Sequence, residues 1–191
     1  DIGALLPHAA VRLYVMGERA LRLEPANQGD IALMRRITAE AVTAGAFGIS
    51  TSRTTSHKSL NGDYTPTLRA LENELAGLAM GVKDAGRGGF MEIVSEWNQP
   101  DPETEFAMLR RVVGGAGVNA VFSLSQRNNR PDIWRDLLGY AGDAIRAGVK
   151  LRPVVAPRAI GMLLGLEGSQ NPFSGTASYR AITHLPLAER V

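Results

Sequence analysis

The chain has 191 residues, of which 45% are apolar and 21% charged, and its formal net charge is +2. This length predicts one domain with a full core, and this composition excludes intrinsic disorder. The chain contains no cysteine, which excludes disulfides, thiolate nucleophiles and cysteine-ligated metals. The net charge is only +2, and the basic residues are scattered and not interleaved with aromatic residues. Both observations argue against nucleic acid or an anionic membrane as a partner.

The apolar runs and the first residues of the chain bear on membrane insertion and targeting. The longest apolar runs, such as the one over 160–166, fall far short of the roughly 20 residues that a membrane span requires. The chain opens with Asp1 and has no basic segment typical of a signal peptide. We therefore expect a cytoplasmic protein. A start without Met leads us to expect a processed chain or a fragment of a longer protein.

Secondary structure can be predicted in chain order, beginning with an apolar stretch from Ile2 to Leu6 that predicts a first strand. Asn27 with Asp30 is typical of a helix start. The apolar stripe of that helix consists of Ile31, Met34, Ile37 and Ala41. Thr65-Pro66 predicts the start of a second helix, because Pro suits the first turn. Its stripe consists of Leu68, Leu71, Leu75, Leu78 and Val82.

Two more helices are predicted after Asp101-Pro102 and after Pro131, again with apolar residues at spacings of three and four. Each helical stretch is followed by Gly and then by a short apolar run. Glycine ends a helix easily because it adopts the left-handed conformation, and a run of four to eight apolar residues suits a strand buried on both faces. These runs predict strands that start at about 46, 89, 118 and 150.

The fold class follows from this alternation. Strand starts separated by roughly 30 to 40 residues are typical of βα units, and such units form a mainly parallel sheet covered by helices. Two architectures are compatible with five strands: a doubly wound open sheet, and part of a (β/α)₈ barrel, which is complete at about 250 residues.

Polar residues follow the predicted strands, at the end where parallel α/β folds place their sites. These segments are 50–53, 95–98, 123–129 and 156–158, and they supply the candidate binding residues Ser52, Arg53, Ser95, Gln126 and Arg158. Hydroxyls, amides and arginines predict a polar or anionic ligand. The alternative is that these residues only cap helices and solvate loops.

Histidine is the other candidate functional group. The segment from Arg53 to Thr65 is long for a βα loop and contains His57, the best candidate of the three histidines. His8 follows the first predicted strand and can face the same site, whereas His184 is expected to be structural. Each is also compatible with an ordinary structural role. No His-x-His or His-Glu-x-x-His pair is present, so we expect no zinc site in residues 1–191 themselves.

Several segments resemble the N-acyl-D-amino-acid deacylases (D-aminoacylase-like enzymes) of the amidohydrolase superfamily. The first covers Asp1 to Arg12 and is followed by Val15-Met16-Gly17. The segment from Gly45 to Arg53 is similar to the fourth-strand motif of that family. Later matches lie at 165–168, 171–174 and 185–190, so the resemblance extends over nearly the whole chain in order.

This resemblance implies a metal-dependent hydrolase on a (β/α)₈ TIM-type barrel, acting on the C–N bond of an N-acyl amino acid or a related small-molecule amide. It implies that 1–191 is the central portion of the barrel, about five strands, with the first and last strands missing. A divalent metal, such as zinc, would belong to the whole protein, with none in this fragment. Four residues match the family by position: His8, Arg12, Ser52 and Arg53. One Arg would hold a substrate carboxylate.

The chain also departs from the family. Where the family carries metal-ligand histidines after its fifth and sixth strands, this chain has Val94 or Ser95, and Leu124 or Ser125. The protein could bind metal with fewer ligands, use His57 instead, or have lost the usual chemistry. The alternative function is therefore a non-catalytic binding or assembly domain on the same scaffold. For the fragment alone we expect no catalysis, and self-association through open sheet edges.

Overall fold

The computed structural model describes residues 2–97, 99–127, 130–159, 161, 163–168 and 171–191. Its strands are β1 (Leu6–Pro7), β2 (Gly48–Arg53), β3 (Phe90–Ser95), β4 (Asn119–Ser123) and β5 (Leu151–Val154). Its helices are α1 (His8–Met16), α2 (Glu18–Leu21), α3 (Gln28–Thr43), α4 (Glu72–Asp84), α5 (Pro102–Ala116), α6 (Ile133–Arg146), α7 (Ala177–Ile182) and α8 (Leu187–Arg190).

The five strands form one parallel sheet in the order β1-β2-β3-β4-β5. In a doubly wound sheet the strand order reverses partway through the sheet, whereas consecutive barrel strands lie side by side in chain order. Helices α3, α4, α5 and α6 also pack in succession. The structure is therefore a partial (β/α)₈ barrel, which confirms the predicted fold class and decides between the two predicted architectures.

Helix ends are set by the local signals that the sequence contains. The Asn27 side chain accepts a hydrogen bond from the Asp30 backbone, and the Asp30 side chain accepts one from the Asn27 backbone, at the start of α3. Asp101 caps α5 by accepting from the Thr104 backbone. At the other end of α5, Gly117 is left-handed, with φ of 71°. The predicted starts of the last four strands, at about 46, 89, 118 and 150, are each within two residues of the observed ones.

Two predicted boundaries are wrong. The first strand begins at Leu6 rather than Ile2, and α4 begins at Glu72, whereas the sequence predicts a start after Thr65-Pro66. Residues 65–70 form turns instead, because distant groups bind this segment. Arg12 donates to the Pro66 carbonyl, and the Thr67 hydroxyl donates to the Ser52 carbonyl. These tertiary hydrogen bonds outweigh the helix signal of Pro66.

The alternation of buried residues along the strands separates the two faces of the sheet. In β3, Met91 and Ile93 are fully buried, whereas Glu92 and Val94 are only partly buried. The fully buried set points to the covering helices, and the other set lines the concave face, which is the barrel interior. Gly48 allows β2 and β3 to approach closely, since a Cβ at this position would lie 1.8 Å from the Phe90 carbonyl oxygen.

The core lies between the sheet and its helices. Its largest fully buried side chains are Trp97, Arg12, Phe122, Met34, Ile49, Leu75, Leu78, Met91, Ile93, Leu109, Ile133 and Leu137. No helix within the described residues combines the length and the apolar character that crossing a membrane requires. Among the residues of the predicted elements and loops, Asn98, Asn128, Asn129, Ile160 and Met162 lie outside the described residues.

Candidate functional site

Two cavities adjoin each other at the carboxyl ends of the strands. The first, of about 300 Å³, is lined by Pro7, His8, Ala9, Ser50, Thr51, Ser52, His57, Thr65, Thr67, Glu92 and Val94. The second, of about 410 Å³, is lined by Thr54, Ser56, His57, Val94, Ser123, Leu124, Ser125, Arg127, Val154, Val155 and Ala156. His57 and Val94 border both. The predicted site location and three predicted residues, His8, Ser52 and His57, therefore meet at one cleft.

His8 is the first residue of α1 and is completely buried. Its Nε2 donates to Glu74 Oε1 at 2.9 Å, and its Nδ1 accepts from the Thr51 hydroxyl at 2.8 Å, in the tautomer that satisfies both partners. Arg12, one turn later, donates to the same Glu74 oxygen at 2.7 Å. His8 therefore forms part of the wall of the first cavity, but both its nitrogens are used within the protein.

The protonation of this buried cluster follows from its surroundings. Burial lowers the pKa of His8 and outweighs the Glu74 carboxylate, which raises it. Burial raises the pKa of Glu74, but the hydrogen bonds from His8 and Arg12, together with the positive charge of Arg12, outweigh burial and hold that pKa below its ordinary value. The cluster is thus a neutral imidazole beside a carboxylate–guanidinium pair.

Arg12 and Arg53, which the sequence predicts at the site, both bind protein acceptors. Beyond Glu74, Arg12 donates to the carbonyls of Pro66 and Glu24. Arg53 makes a bidentate ion pair with the buried Glu105 of α5, both distances being 3.0 Å, and donates to the Ala70 carbonyl. Neither guanidinium lines the cleft. Arg12 thus joins α1 to α4 and to Pro66, whereas Arg53 joins β2 to α5 and to Ala70.

The remaining predicted residues lie in different places. Ser95 is fully buried on the helix-facing side of β3, and no described residue hydrogen-bonds its hydroxyl. Gln126 is exposed, and Arg158 is exposed and donates to the Ala159 carbonyl. None of these three lines either cavity.

Ser52 and His57 form a second direct side-chain pair in the cleft, besides His8 and Thr51. Ser52 Oγ lies 2.6 Å from His57 Nδ1. The position of the His57 loop depends on Glu96, whose Oε2 accepts from the Thr54 hydroxyl at 3.0 Å and from the Thr55 amide and hydroxyl at 2.9 and 2.6 Å. The imidazole is therefore placed by a buried carboxylate just after β3.

One contributor to this site, Glu74, was not predicted from the sequence. Glu74 carries one usable signal, because an acidic residue on the apolar stripe of α4, one turn before Leu78, needs a buried partner. Glu96 and Arg127 lie in the predicted polar segments 95–98 and 123–129, but were not among the candidate binding residues. Arg127 lines the second cavity, and its Nε is buried without a hydrogen-bond partner in the described part of the chain.

Known proteins match this chain by structure. No protein-family model matches it, and no curated protein does. A structure of N-acyl-D-glutamate deacylase from Bordetella bronchiseptica, complexed with zinc and a phosphonate inhibitor, aligns with a TM-score of 0.67 and 23% identity over 83% of this chain. A D-aminoacylase with a binuclear metal centre aligns with a TM-score of 0.63 and 18% identity over 79% of it.

A further crystal structure of D-aminoacylase, described as defining a novel subset of amidohydrolases, aligns with a TM-score of 0.60 and 19% identity over 81% of the chain. Identities this low establish the fold, so the predicted resemblance to these enzymes is confirmed in the fold. The chain spans 29–31% of the length of these three solved structures.

The metal that these neighbours imply does not fit the described residues of this chain. No three of their His, Asp and Glu side chains lie close enough to share an ion. Both nitrogens of His8 are used by Thr51 and Glu74, and Nδ1 of His57 faces Ser52. The described residues therefore lack a complete set of metal ligands.

Proposed function

We propose that residues 1–191 are the central portion of an amidohydrolase barrel, and that the whole protein hydrolyses the C–N bond of an N-acyl amino acid or a related small amide. The observation that carries this proposal is the cleft at the carboxyl ends of β1–β5, where His8, Ser52 and His57 converge on a fold shared with D-aminoacylases. Sites of (β/α)₈ enzymes lie at this end of the barrel.

The substrate would lie across both cavities. Ser52 and Thr65 border the first cavity, and their hydroxyls suit hydrogen bonds to an amide group. In the second cavity we assign a substrate carboxylate to Arg127, because its Nε is buried and unpartnered within the described chain. Arg12 and Arg53, which match the family by position, suit this role less, because their donors already face Glu74 and Glu105.

A divalent metal, with zinc as the expected ion, would belong to the whole protein. Its ligands would come from segments other than the described residues of this chain, which hold no three-ligand group. The fragment alone is accordingly expected to be inactive. The cytoplasmic location expected from the sequence stays a prediction.

An assay of the whole protein tests this function. Release of free amino acid from a panel of N-acyl D- and L-amino acids should be measured in metal-supplemented buffer, with metal content determined on the same sample. Hydrolysis of at least one member supports the proposal. Failure to hydrolyse any member by a folded, metal-supplemented sample would contradict it.

The second candidate function is a non-catalytic binding or assembly domain on the same scaffold. It is favoured by one observation: Val94, Ser95, Leu124 and Ser125 stand where the resembling family carries metal-ligand histidines. The two functions predict different metal contents. A stoichiometric divalent ion in the whole protein favours catalysis, whereas no metal together with ligand binding and no turnover favours the binding domain.

A further inference from the structure

The two cavities at the strand ends carry opposite charges. Among the described residues that line the first cavity, Glu92 is the only Asp, Glu, Lys or Arg. Among those that line the second, Arg127 is the only one. The remaining lining residues of both cavities are histidines, hydroxyl residues and apolar or small residues. A ligand that spans the cleft therefore meets a carboxylate at one end and a guanidinium at the other.

The strand register places Glu92 in the cleft. Glu92 pairs with Ser50 of β2, and Val94, two residues later, pairs with Ser52, so all four lie on the concave face of the sheet. Within the described part of the chain, no side chain donates a hydrogen bond to the Glu92 carboxylate and no cation forms an ion pair with it. Its oxygens are therefore available to a ligand in the first cavity.

The structural alternative for Glu92 is an ion pair with Arg152. Glu92 pairs with Val121 and Val121 pairs with Arg152, so the two charged residues lie in one row of the sheet. Two strand spacings separate their Cα atoms by about 10 Å, which two long side chains can span. Arg152, however, borders a different cavity at the amino ends of the strands and donates to the Leu151 carbonyl. The Glu92 carboxylate is thus left unpaired by Arg152.

The cleft has dimensions that suit a short peptide. Val94 borders both cavities and lies two residues beyond Glu92 on β3, which is about 7 Å along the strand. An extended dipeptide is also about 7 Å long. With its ammonium at Glu92, a dipeptide would place its peptide group where the cavities meet, beside His57, and its carboxylate in the second cavity.

We infer that the substrate is a dipeptide, whose ammonium binds Glu92 and whose carboxylate binds Arg127. This inference rests on the proposed amide hydrolysis and narrows its acyl group to an aminoacyl group. Hydrolysis adds the OH of one water to the acyl carbon and its H to the leaving nitrogen as the C–N bond breaks, so the products are two free amino acids. An acyl group without an ammonium would leave the Glu92 carboxylate against an apolar chain, which is unfavourable for a charged group.

Two substrates that differ only in the ammonium test this inference. Alanyl-leucine carries the ammonium, and N-propionyl-leucine has hydrogen in its place. Both should be prepared with D- and with L-leucine. kcat/KM should be measured with the whole, metal-supplemented protein, and binding of each compound should be measured by calorimetry on the same samples. We expect kcat/KM for the dipeptide to exceed that for the propionyl compound at least about 10-fold, and its binding to be tighter.

Variants assign this preference to Glu92. Glu92→Gln keeps the shape of the side chain and removes its charge, so the ratio of the two kcat/KM values should fall towards 1. Glu92→Asp keeps the charge and should retain part of the preference. Glu103→Gln, at an exposed position on α5, is the matched control and should retain all of it. Arg152→Gln should also retain it, because this inference gives Arg152 no contact with the ligand. Thermal melts identify the variants that remain folded.

Three results would overturn the inference. They are equal or better use of N-propionyl-leucine by the wild-type protein, an unchanged preference in a folded Glu92→Gln variant, and an equal loss of preference in Arg152→Gln. Hydrolysis of N-propionyl-leucine in any of these cases leaves the proposed amide hydrolase intact. If neither compound is hydrolysed, Glu92-dependent binding of the dipeptide supports the dipeptide site and contradicts the hydrolysis, whereas binding of neither compound contradicts both.

Discussion

His8 and Glu74 lie 66 positions apart in the sequence, yet His8 Nε2 donates to Glu74 Oε1 at 2.9 Å between two buried side chains. Arg12 joins them on the same oxygen. The cluster connects α1 to α4 beneath the first cavity, and Thr51 of β2 completes it. The free energy of unfolding of variants in this cluster therefore tests whether the cavity wall depends on this contact.

Removing the carboxylate from this cluster should destabilise the fold strongly. In Glu74→Ala, the Arg12 guanidinium would remain buried and lose its charged partner, for which we expect a loss of about 3–5 kcal/mol in the free energy of unfolding. Urea denaturation measures this loss. Glu72→Ala is the matched control, because it removes an exposed pair with Arg111 from the same helix and should change little. Equal losses in the two variants would show that the cluster has no special role.

The same cluster predicts that stability falls with acid. Unfolded His8 has an ordinary pKa of 6.5, and burial lowers the pKa in the folded protein, so between these values the unfolded state binds more protons. Stability should therefore decrease as pH falls through 6.5 towards the folded value. The lowered pKa of Glu74 also makes stability decrease with acid. Its contribution to stability is lost as pH falls further, through the folded pKa of that carboxyl.

Urea midpoints at about pH 7.5 and about pH 5.5 test this dependence. His8→Gln should reduce the difference between the two midpoints, whereas His184→Gln, at an exposed position, should preserve it. A pH dependence that is unchanged in a folded His8→Gln variant would show that another group is responsible.

Glu96 should act as a positioning residue for His57. In Glu96→Ala, the hydroxyls and amide of Thr54 and Thr55 lose their common acceptor, so the loop should sample more conformations. We expect faster hydrogen exchange at 54–57 and, in the whole protein, a several-fold slower hydrolysis of N-acyl amino acids. Glu96→Gln keeps an acceptor oxygen and should restore most of the rate. A rate that Ala leaves unchanged, or that Gln fails to restore in a folded protein, contradicts this role.

Arg127 should determine the affinity for a substrate carboxylate. Replacing it with Met keeps an unbranched side chain that reaches to about the position of Nε, and it removes the charge. We expect KM for an N-acyl amino acid to rise roughly 10-fold or more while kcat changes less. The corresponding amide without a carboxylate should be hydrolysed equally by both proteins. Arg180→Met, exposed on α7, is the control. An unchanged KM would assign the carboxylate to another residue.

The 191-residue chain by itself should associate. In the described chain, β1 pairs only with β2 and β5 only with β4, so each leaves one edge open. At the end of β5, Val154 and the following Val155 are 40% and 68% exposed. Light scattering after size exclusion should detect oligomers that diminish in a Val154→Lys, Val155→Lys variant but persist in Leu60→Lys, an exposed change on the His57 loop. If the unmutated 191-residue chain were a clean monomer, this prediction would be contradicted.

The sequence by itself determined the elements whose signals are local. Asn27 with Asp30, and Asp101 before Pro102, start helices because the capping groups lie within three residues of each other. Glycine at 117 stops a helix for a similar local reason. Alternating helices and short apolar runs were then enough to predict a parallel sheet, and its carboxyl ends as the place of the site.

Only the tertiary structure decided which polar side chains meet. Arg53 is adjacent to Ser52 in sequence, but successive residues of a strand face opposite sides of the sheet. Arg53 therefore points towards the helices and pairs with Glu105, whereas Ser52 points into the cleft and contacts His57. The late start of α4 has the same kind of cause, since Arg12 binds the Pro66 carbonyl from 54 positions away. Such partners depend on strand register and helix packing, which no short stretch of sequence specifies.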